Sequence, residues 1–204
     1  MYKMKYFTET DLQKVDEFMR EYPFATIIGA GMDGFPVATQ LPLEIIRRSD
    51  TLYLRGHLMK DTDHHAAFEK NRNVMALFTG PDCYISASWY TKKNVASTWD
   101  YITVQAKGEI IFTDETETIK ILQEITDRYE TPESPAAYSK LDSDYVIAMA
   151  KFVVGFEIKV EVLENTFKLS QNHSKESRLG VIDALEKKGT DDTKTIARMI
   201  KERM

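Results

Sequence analysis

The chain has 204 residues, 43% of them hydrophobic and 11% aromatic, which is enough for a packed core and excludes disorder. A formal net charge of −5 argues against a protein generally coated in nucleic acid. No apolar run follows the two lysines near the start, no segment is long enough to span a bilayer, and the single Cys83 cannot form an internal disulfide. A cytoplasmic protein without membrane contact is therefore expected.

Residues 8–22 read as an amphipathic helix with Thr8 as N-cap, Asp11 at N3, and Leu12, Val15, Phe18 and Tyr22 at helical spacing. Pro23 stops it. The β-rich run 24–30, the Asp33-Gly34 turn, the run 37–46 and the run 51–58 predict a meander of three strands. A short helix over 60–71 and a buried strand over 74–80 follow. A long strand is expected at 101–113, a helix at 115–130, and a strand at 153–163 with Phe156, Ile158, Val160 and Val162 alternating. Residues 143–152 fit either helix or strand. Two helices end the chain around Gly189-Thr190, a C′ glycine followed by an N-cap. About six strands at hairpin spacing, with helices inserted and appended, predict an α+β antiparallel barrel. Residues 1–165 are expected to form the barrel domain, and residues 166–204 a C-terminal helical extension packed on the barrel or across a dimer.

The segment 80–101 gathers Trp89, Trp99, Tyr84, Tyr90 and Tyr101 with the hydroxyls of Ser86, Ser88, Ser97 and Thr98. Such a segment makes either a packed strand–turn–strand corner or the wall of a site for a flat, polar-edged ligand. Pro42 removes a ladder donor, so its strand lies at an edge or is bulged, and backbone groups beside Thr39 and Gln40 are freed to face a ligand. Gly56 permits close backbone approach, while His57 and Lys60 add donors at the mouth of the following helix. Cationic side chains and helix N-terminal amides suit a phosphate; an ordinary strand-to-helix junction is the alternative. His64 and His65 are adjacent and point about 100° apart on a helix, so no metal site is expected from them with His57 and Cys83. Cys83 reads as a small buried hydrophobe. Dinucleotide, phosphate-loop and zincin motifs are absent.

The runs "FATIIGAGMDGFPVATQLPL", "LRGHLMK", "ALFTGPDCYISASWY", "STWDYITVQAKG" and "FKLSQNHSKESRLGVIDAL" resemble the PaiB family of FMN-binding negative transcriptional regulators. The resemblance implies the FMN-binding split-barrel fold, with peripheral helices and a C-terminal helical pair, and a homodimer with FMN at its interface. It places Thr39, Gln40 and Leu41 on the strand that edges the flavin. It places Gly56 and His57 at the family's Gly-His, and Lys60 at the phosphate. Ser86, Ser88, Trp89 and Trp99 match the aromatic motif, and Lys168, Ser170 and Gln171 the Lys-Leu-Ser-Gln motif. The chain departs from the pattern at Asp82 and Ala87, where the family has His and Pro. It departs again at Thr62-Asp63, in place of Asn-Pro, and at His173, in place of Arg. Asp63 would repel a phosphate beside it.

Two further readings stand beside a flavin-binding regulator: a split-barrel flavin oxidoreductase, in which the cofactor carries the chemistry, and an interaction module of the same fold without a cofactor. The resemblance brings DNA in as a partner, but the residues argue the other way. Residues 166–204 carry nine Lys/Arg against six Asp/Glu, a balance of +3 that leaves −8 for the remainder. Yet the last helix opens with Asp191-Asp192, which suit a helix N-terminus and repel phosphates. Ile182, Leu185, Ile196 and Ile200 are expected to bury this pair of helices.

Overall fold

Apolar alternation between residues 24 and 168 resolves into seven strands: β1 (Phe24–Ala30), β2 (Pro36–Pro42), β3 (Glu44–Arg48), β4 (Thr51–Met59), β5 (Asn73–Ile85), β6 (Thr98–Phe112) and β7 (Val153–Lys168). The computed structural model describes residues 4–204. Its strands hydrogen-bond in the order β2-β1-β5-β6-β7-β4-β3, and β1 pairs antiparallel with β2 and β5, as β4 does with β3 and β7. Six helices accompany them: α1 (Leu12–Glu21), α2 (Asp63–Lys70), α3 (Glu115–Tyr129), α4 (Ser143–Ala150), α5 (Lys175–Lys188) and α6 (Asp191–Lys201).

Contacts divide the chain into two units. One comprises the described residues up to Phe18 with Thr79–Val104 and Glu164–Met204; the other comprises Met19–Phe78 and Gln105–Leu163. The strands β5, β6 and β7 each begin in one unit and end in the other.

In the unit built on Met19–Phe78, the expected single strand over 37–46 is two strands. Pro42 supplies no N–H, so the β1–β2 ladder ends at the Phe24–Pro42 pair. Leu43 turns inward, buried, and its N–H donates to the Pro23 carbonyl at 2.9 Å. The next residues pair with β4 instead. Thus β2 and β3, consecutive in the chain, occupy opposite ends of the strand order. Across that break the contact is made by side chains: Leu41 and Leu43 each come within 3.1 Å of where a Cβ on Gly56 of β4 would lie. The helix α3 is fastened by charge as well as by packing. Arg55, 7% exposed, ion-pairs with Glu117 and with Glu124 (2.5 Å) and lies 3.6 Å from Glu157, which also binds Arg48.

In the other unit, β5 runs on through Gly80-Pro81 to Ile85, beyond the expected end of the strand at residue 80. The missing side chain is used for packing: a Cβ on Gly80 would come within 2.5 Å of the Phe18 ring. Helix α1 starts four residues later than expected, because Asp11 rather than Thr8 caps it. The Asp11 carbonyl accepts from Val15 N–H, and its carboxylate accepts from Gln13 N–H at 3.0 Å. Residues 143–150, in the unit built on Met19–Phe78, are helical, with Asp142 accepting two N-terminal amides. At the C-terminus Gly189 takes the left-handed conformation, φ 73°, and the Thr190 side chain caps α6 as expected. Ile182, Leu185, Ile196 and Ile200 are all buried, and Arg178 donates to the carbonyls of Ile200 and Arg203.

Replacing Arg55 by Ala removes the shared cation, leaving Glu124 without an ion pair among the described residues and Glu117 and Glu157 with only Lys120 and Arg48. We expect a loss of about 2–3 kcal/mol, below the roughly 3–5 for breaking a fully buried pair because Glu117 and Glu124 reach solvent. Urea unfolding midpoints measure it; a change under about 0.5 kcal/mol, the level of ordinary surface substitutions, would contradict it.

Candidate functional site

The unit that carries β1–β4 holds Thr39, Gln40, Leu41, Gly56, His57 and Lys60. Thr39 and Gln40 lie on the edge strand β2, opposite Ile27 and Thr26, and the Gln40 amide reaches the Thr26 hydroxyl only at 3.5 Å. Leu41 points inward over Gly56, whose α-carbon face is filled by Leu41, Leu43 and Phe156. Gly56 therefore serves internal packing, and its open side of space meets protein. His57 differs. Its Nδ1 is buried and has no hydrogen-bond partner among the described residues, and burial pushes its pKa below the usual imidazole range, so the ring is neutral near pH 7. The Lys60 backbone N–H is taken by the Phe152 carbonyl, while its ammonium has no hydrogen bond or ion pair among the described residues.

Two of the N-terminal amides of α2, expected from sequence to help hold a phosphate, are already occupied. The Thr62 hydroxyl accepts from His65 N–H (3.3 Å), and the Asp63 carboxylate accepts from His64 N–H (2.8 Å). Side-chain capping satisfies the donors that a ligand would otherwise use.

The other unit holds Ser86, Ser88, Trp89, Trp99, Lys168, Ser170 and Gln171. Ser86 caps a 3-10 turn, Ala87–Trp89, by accepting from Ser88 N–H, and the two serine hydroxyls are 2.8 Å apart. Ser97 accepts from Ala87 N–H at 3.0 Å, closing the loop after it. Trp89 is half-buried, with the Lys188 ammonium 5.2 Å from its ring centre. Trp99 is 53% exposed and meets Tyr84 edge-to-face.

Lys168, Ser170 and Gln171 spend their polar atoms on their own surroundings. The Lys168 ammonium donates to the Thr98 hydroxyl (2.5 Å) and to the Trp99 carbonyl. Gln171 closes its own turn, accepting from Leu169 N–H (2.6 Å) and donating to the Phe167 carbonyl. Ser170, at φ 58°, donates to the Asp100 carboxylate at 2.7 Å. Asp100 is absent from the residues singled out above, yet it is the centre of this arrangement. It has no solvent exposure; one oxygen takes Ser170 and the other has only Lys168, at 4.0 Å. Burial pushes its carboxyl up from 3.8 to about 6, against the opposing pull of Ser170 and Lys168. The strand parity that puts Ile102 and Val104 inward puts Asp100 inward too, so an acid on the buried face was readable. Tyr90 and His173 stack face to face at 4.0 Å beside this group. Burial raises the Tyr90 phenol and, with Lys168 and Lys92, lowers His173. Cys83 is buried, as expected, and its thiol is pushed up to about 12, chiefly by burial, which removes it as a nucleophile at neutral pH.

Comparison with known proteins now bears on these groups. A family model described as "Putative FMN-binding domain" matches residues 1–162. The protein PAI 2 of Bacillus subtilis, named as a protease synthase and sporulation protein, is 32% identical over 205 aligned residues, covering 100% of this chain and 98% of that one. The chain belongs to this PaiB-type family of FMN-binding domains. Membership assigns FMN as the cofactor. Among solved structures, a conserved hypothetical protein of Mycobacterium tuberculosis superposes with a TM-score of 0.61 at 13% identity, over 85% of this chain and 94% of that one. The FAD- and heme-binding protein of Mycobacterium smegmatis gives 0.57 at 16%, over 79% and 73%. The fold is the antiparallel split barrel expected from the sequence.

The residues of this PaiB-type chain fit FMN on an observation of their own. A buried imidazole nitrogen without a partner among the described residues (His57), followed in sequence by an ammonium with no ion pair among them (Lys60), leaves polar groups of the kind that a phosphate-bearing ligand satisfies. Asp63 is the group that disagrees, although its carboxylate is turned to His64.

Asp100 gives a pH signature. A carboxyl whose folded value lies above its unfolded one holds its proton more tightly in the native state. Its contribution is therefore most favourable below pH 4 and is lost as pH rises through about 6. An asparagine in its place would keep an acceptor for Ser170 and carry no charge. In urea titrations at several pH values, the stability of Asp100→Asn relative to wild type should climb between pH 4 and pH 6 and then level off. A flat difference would mean that Asp100 titrates normally.

Proposed function

We propose that this chain is a PaiB-type regulator that binds FMN at a homodimer interface, with His57 and Lys60 on the cofactor's polar and phosphate-bearing parts. The observation that carries the reading is the buried Nδ1 of His57, without a partner among the described residues, three residues before Lys60, whose ammonium has no ion pair among them. Thr39, Gln40 and Leu41 edge the ring system. Ser86, Ser88, Trp89 and Trp99 supply hydroxyls and flat apolar surface, and Lys168, Ser170 and Gln171 act by fixing the strand that carries Trp99. When bound, FMN supplies a centre that accepts or releases a hydride or single electrons. The protein's part is to bind it, orient it and keep its phosphate neutralised. The exposed Trp99–Tyr84 pair supports a second copy as partner, since aromatic side chains are enriched at interfaces. On this reading residues 1–165 are the flavin-binding domain and residues 166–204 its extension, and the protein works in the cytoplasm.

Regulation through direct DNA contact finds little support in the C-terminal helices. Lys187 pairs with Asp183, Lys201 with Glu186, Arg198 with Glu202 and Arg203 with Glu9, so four of the basic groups there are already engaged with carboxylates. A gel-shift titration at moderate salt should show no tight complex. Tight binding that vanishes on deleting residues 190–204 would reverse this.

Absorbance and fluorescence titrations test the cofactor reading. Wild type should bind FMN more tightly than riboflavin. Lys60→Met should erase most of that preference, about tenfold for one charge-assisted phosphate contact, while leaving riboflavin affinity unchanged. Asp63→Asn keeps an acceptor for the His64 amide and should tighten FMN alone. Equal affinity of wild type for both flavins would remove Lys60 from the phosphate.

A further inference from the structure

The segment taken above to face the flavin does not hold itself in place. Its 3-10 turn and the two residues after it, 86–91, are docked on α5, a helix that lies beyond the residues matched by the family's FMN-binding domain. Each residue from 89 to 91 meets a different partner. A Cβ built on Gly180 would collide with the Trp89 carbonyl oxygen, so the helix backbone and the Trp89 peptide touch where only glycine leaves room. Tyr90 stacks on His173, at 4.0 Å and 15° between planes, just before the helix begins. Thr91 donates its N–H to the Ser177 hydroxyl (3.1 Å), and the two hydroxyls lie 2.9 Å apart. Ser177 is itself buried, 2% exposed, and its own N–H is held by the Ser174 cap. The Lys188 ammonium lies over the outer face of the Trp89 ring.

From this docking, and resting on the flavin reading, we propose that α5 is the positioning element of the flavin site. Gly180 sets how closely Trp89 approaches, and Ser177 fixes the register of the segment along the helix. Neither residue touches the cofactor; both act through Trp89. Coupling of this kind is reciprocal: if a docked α5 favours the flavin-binding geometry of residues 86–91, flavin must favour a docked α5 to the same degree. The C-terminal helices, which the family's cofactor domain does not include, thereby become the part of the chain that senses occupancy.

Gly180→Ala separates positioning from helix stability, because alanine strengthens an isolated helix while its methyl group pushes against Trp89. Protein labelled with 5-fluorotryptophan gives two fluorine signals, Trp89 and Trp99, and Trp99 serves as the internal reference. We expect Gly180→Ala to shift the Trp89 signal and leave Trp99 in place. FMN affinity should fall about tenfold or more, the loss of one well-packed contact. In wild type, FMN should slow hydrogen exchange across residues 175–188; in the variant that slowing should disappear. Should Gly180→Ala fail to fold, Ser177→Ala, which removes only the hydroxyl, must show the same weakened affinity and faster exchange over residues 86–91. An unmoved Trp89 signal, or a moved one with unchanged FMN affinity, overturns the proposal. If wild type binds no FMN at all, the flavin reading fails by itself, and the Trp89 shift still decides whether α5 positions the segment.

Discussion

A carboxylate with no access to water has to be compensated within the fold, and Asp100 is compensated incompletely. Ser170 gives it one short hydrogen bond, Lys168 stands off at 4.0 Å, and burial still outweighs both. That constraint organises much of its unit. Ser170 reaches the carboxylate from a left-handed backbone conformation, and the turn it makes is closed by Gln171 on the main chain at both sides. Lys168, drawn toward the same acid, ties down Thr98 and the Trp99 carbonyl. The Lys-Leu-Ser-Gln run is thus a clasp that joins the end of β7 to the start of β6, and the exposed Trp99 side chain projects from the clasped strand.

The elements were legible where period and capping agreed. Period-2 alternation set the strands of β1, β4 and β7, and the Gly189-Thr190 joint set α5 and α6, because each rests on a local rule. Errors arose where a local rule met a tertiary demand. The apolar run of β5 is read only as far as Gly80, yet the glycine is spent on Phe18 and the strand continues to Ile85. Pro42 reads as an irregularity inside one strand, yet it ends that strand and sends the chain to the opposite end of the strand order. The residue types of the site were legible from resemblance, but their roles were not. Gly56 looks free for a ligand until Leu41, Leu43 and Phe156 are seen to fill its space. The hydroxyls of Thr62 and Ser170 look available until His65 N–H and Asp100 are seen to hold them. Which polar atom is left over depends on every neighbour at once, and His57 Nδ1, one of several buried atoms without a partner among the described residues, emerges only after that accounting.

Charge shows the same limit. The surplus of +3 in residues 166–204 suggests a basic surface, but a formal sum does not say which charges remain available. Four of those cations pair with carboxylates, one of them with Glu9 at the far end of the sequence, and Arg178 serves carbonyl oxygens at the end of α6. A cation committed to a carboxylate brings little net attraction to a phosphate, because the acid must first be displaced or left beside it.

The clasp and the helix that follows it form one continuous device. From the Asp100-bound Ser170, three residues lead to His173, whose N–H returns to the Ser170 carbonyl at 3.1 Å and whose ring stacks on Tyr90. The next residue, Ser174, caps α5, and the first turn of α5 presents Ser177 to Thr91. The segment 86–91 is thereby anchored to a helix whose own starting point is fixed by the buried acid. Asp100 thus stands at the base of a chain of contacts that runs through Ser170, His173 and Ser177 to Tyr90 and Thr91. The short path, rather than the distance between residues 86–91 and the C-terminus in sequence, is what couples α5 to Trp89.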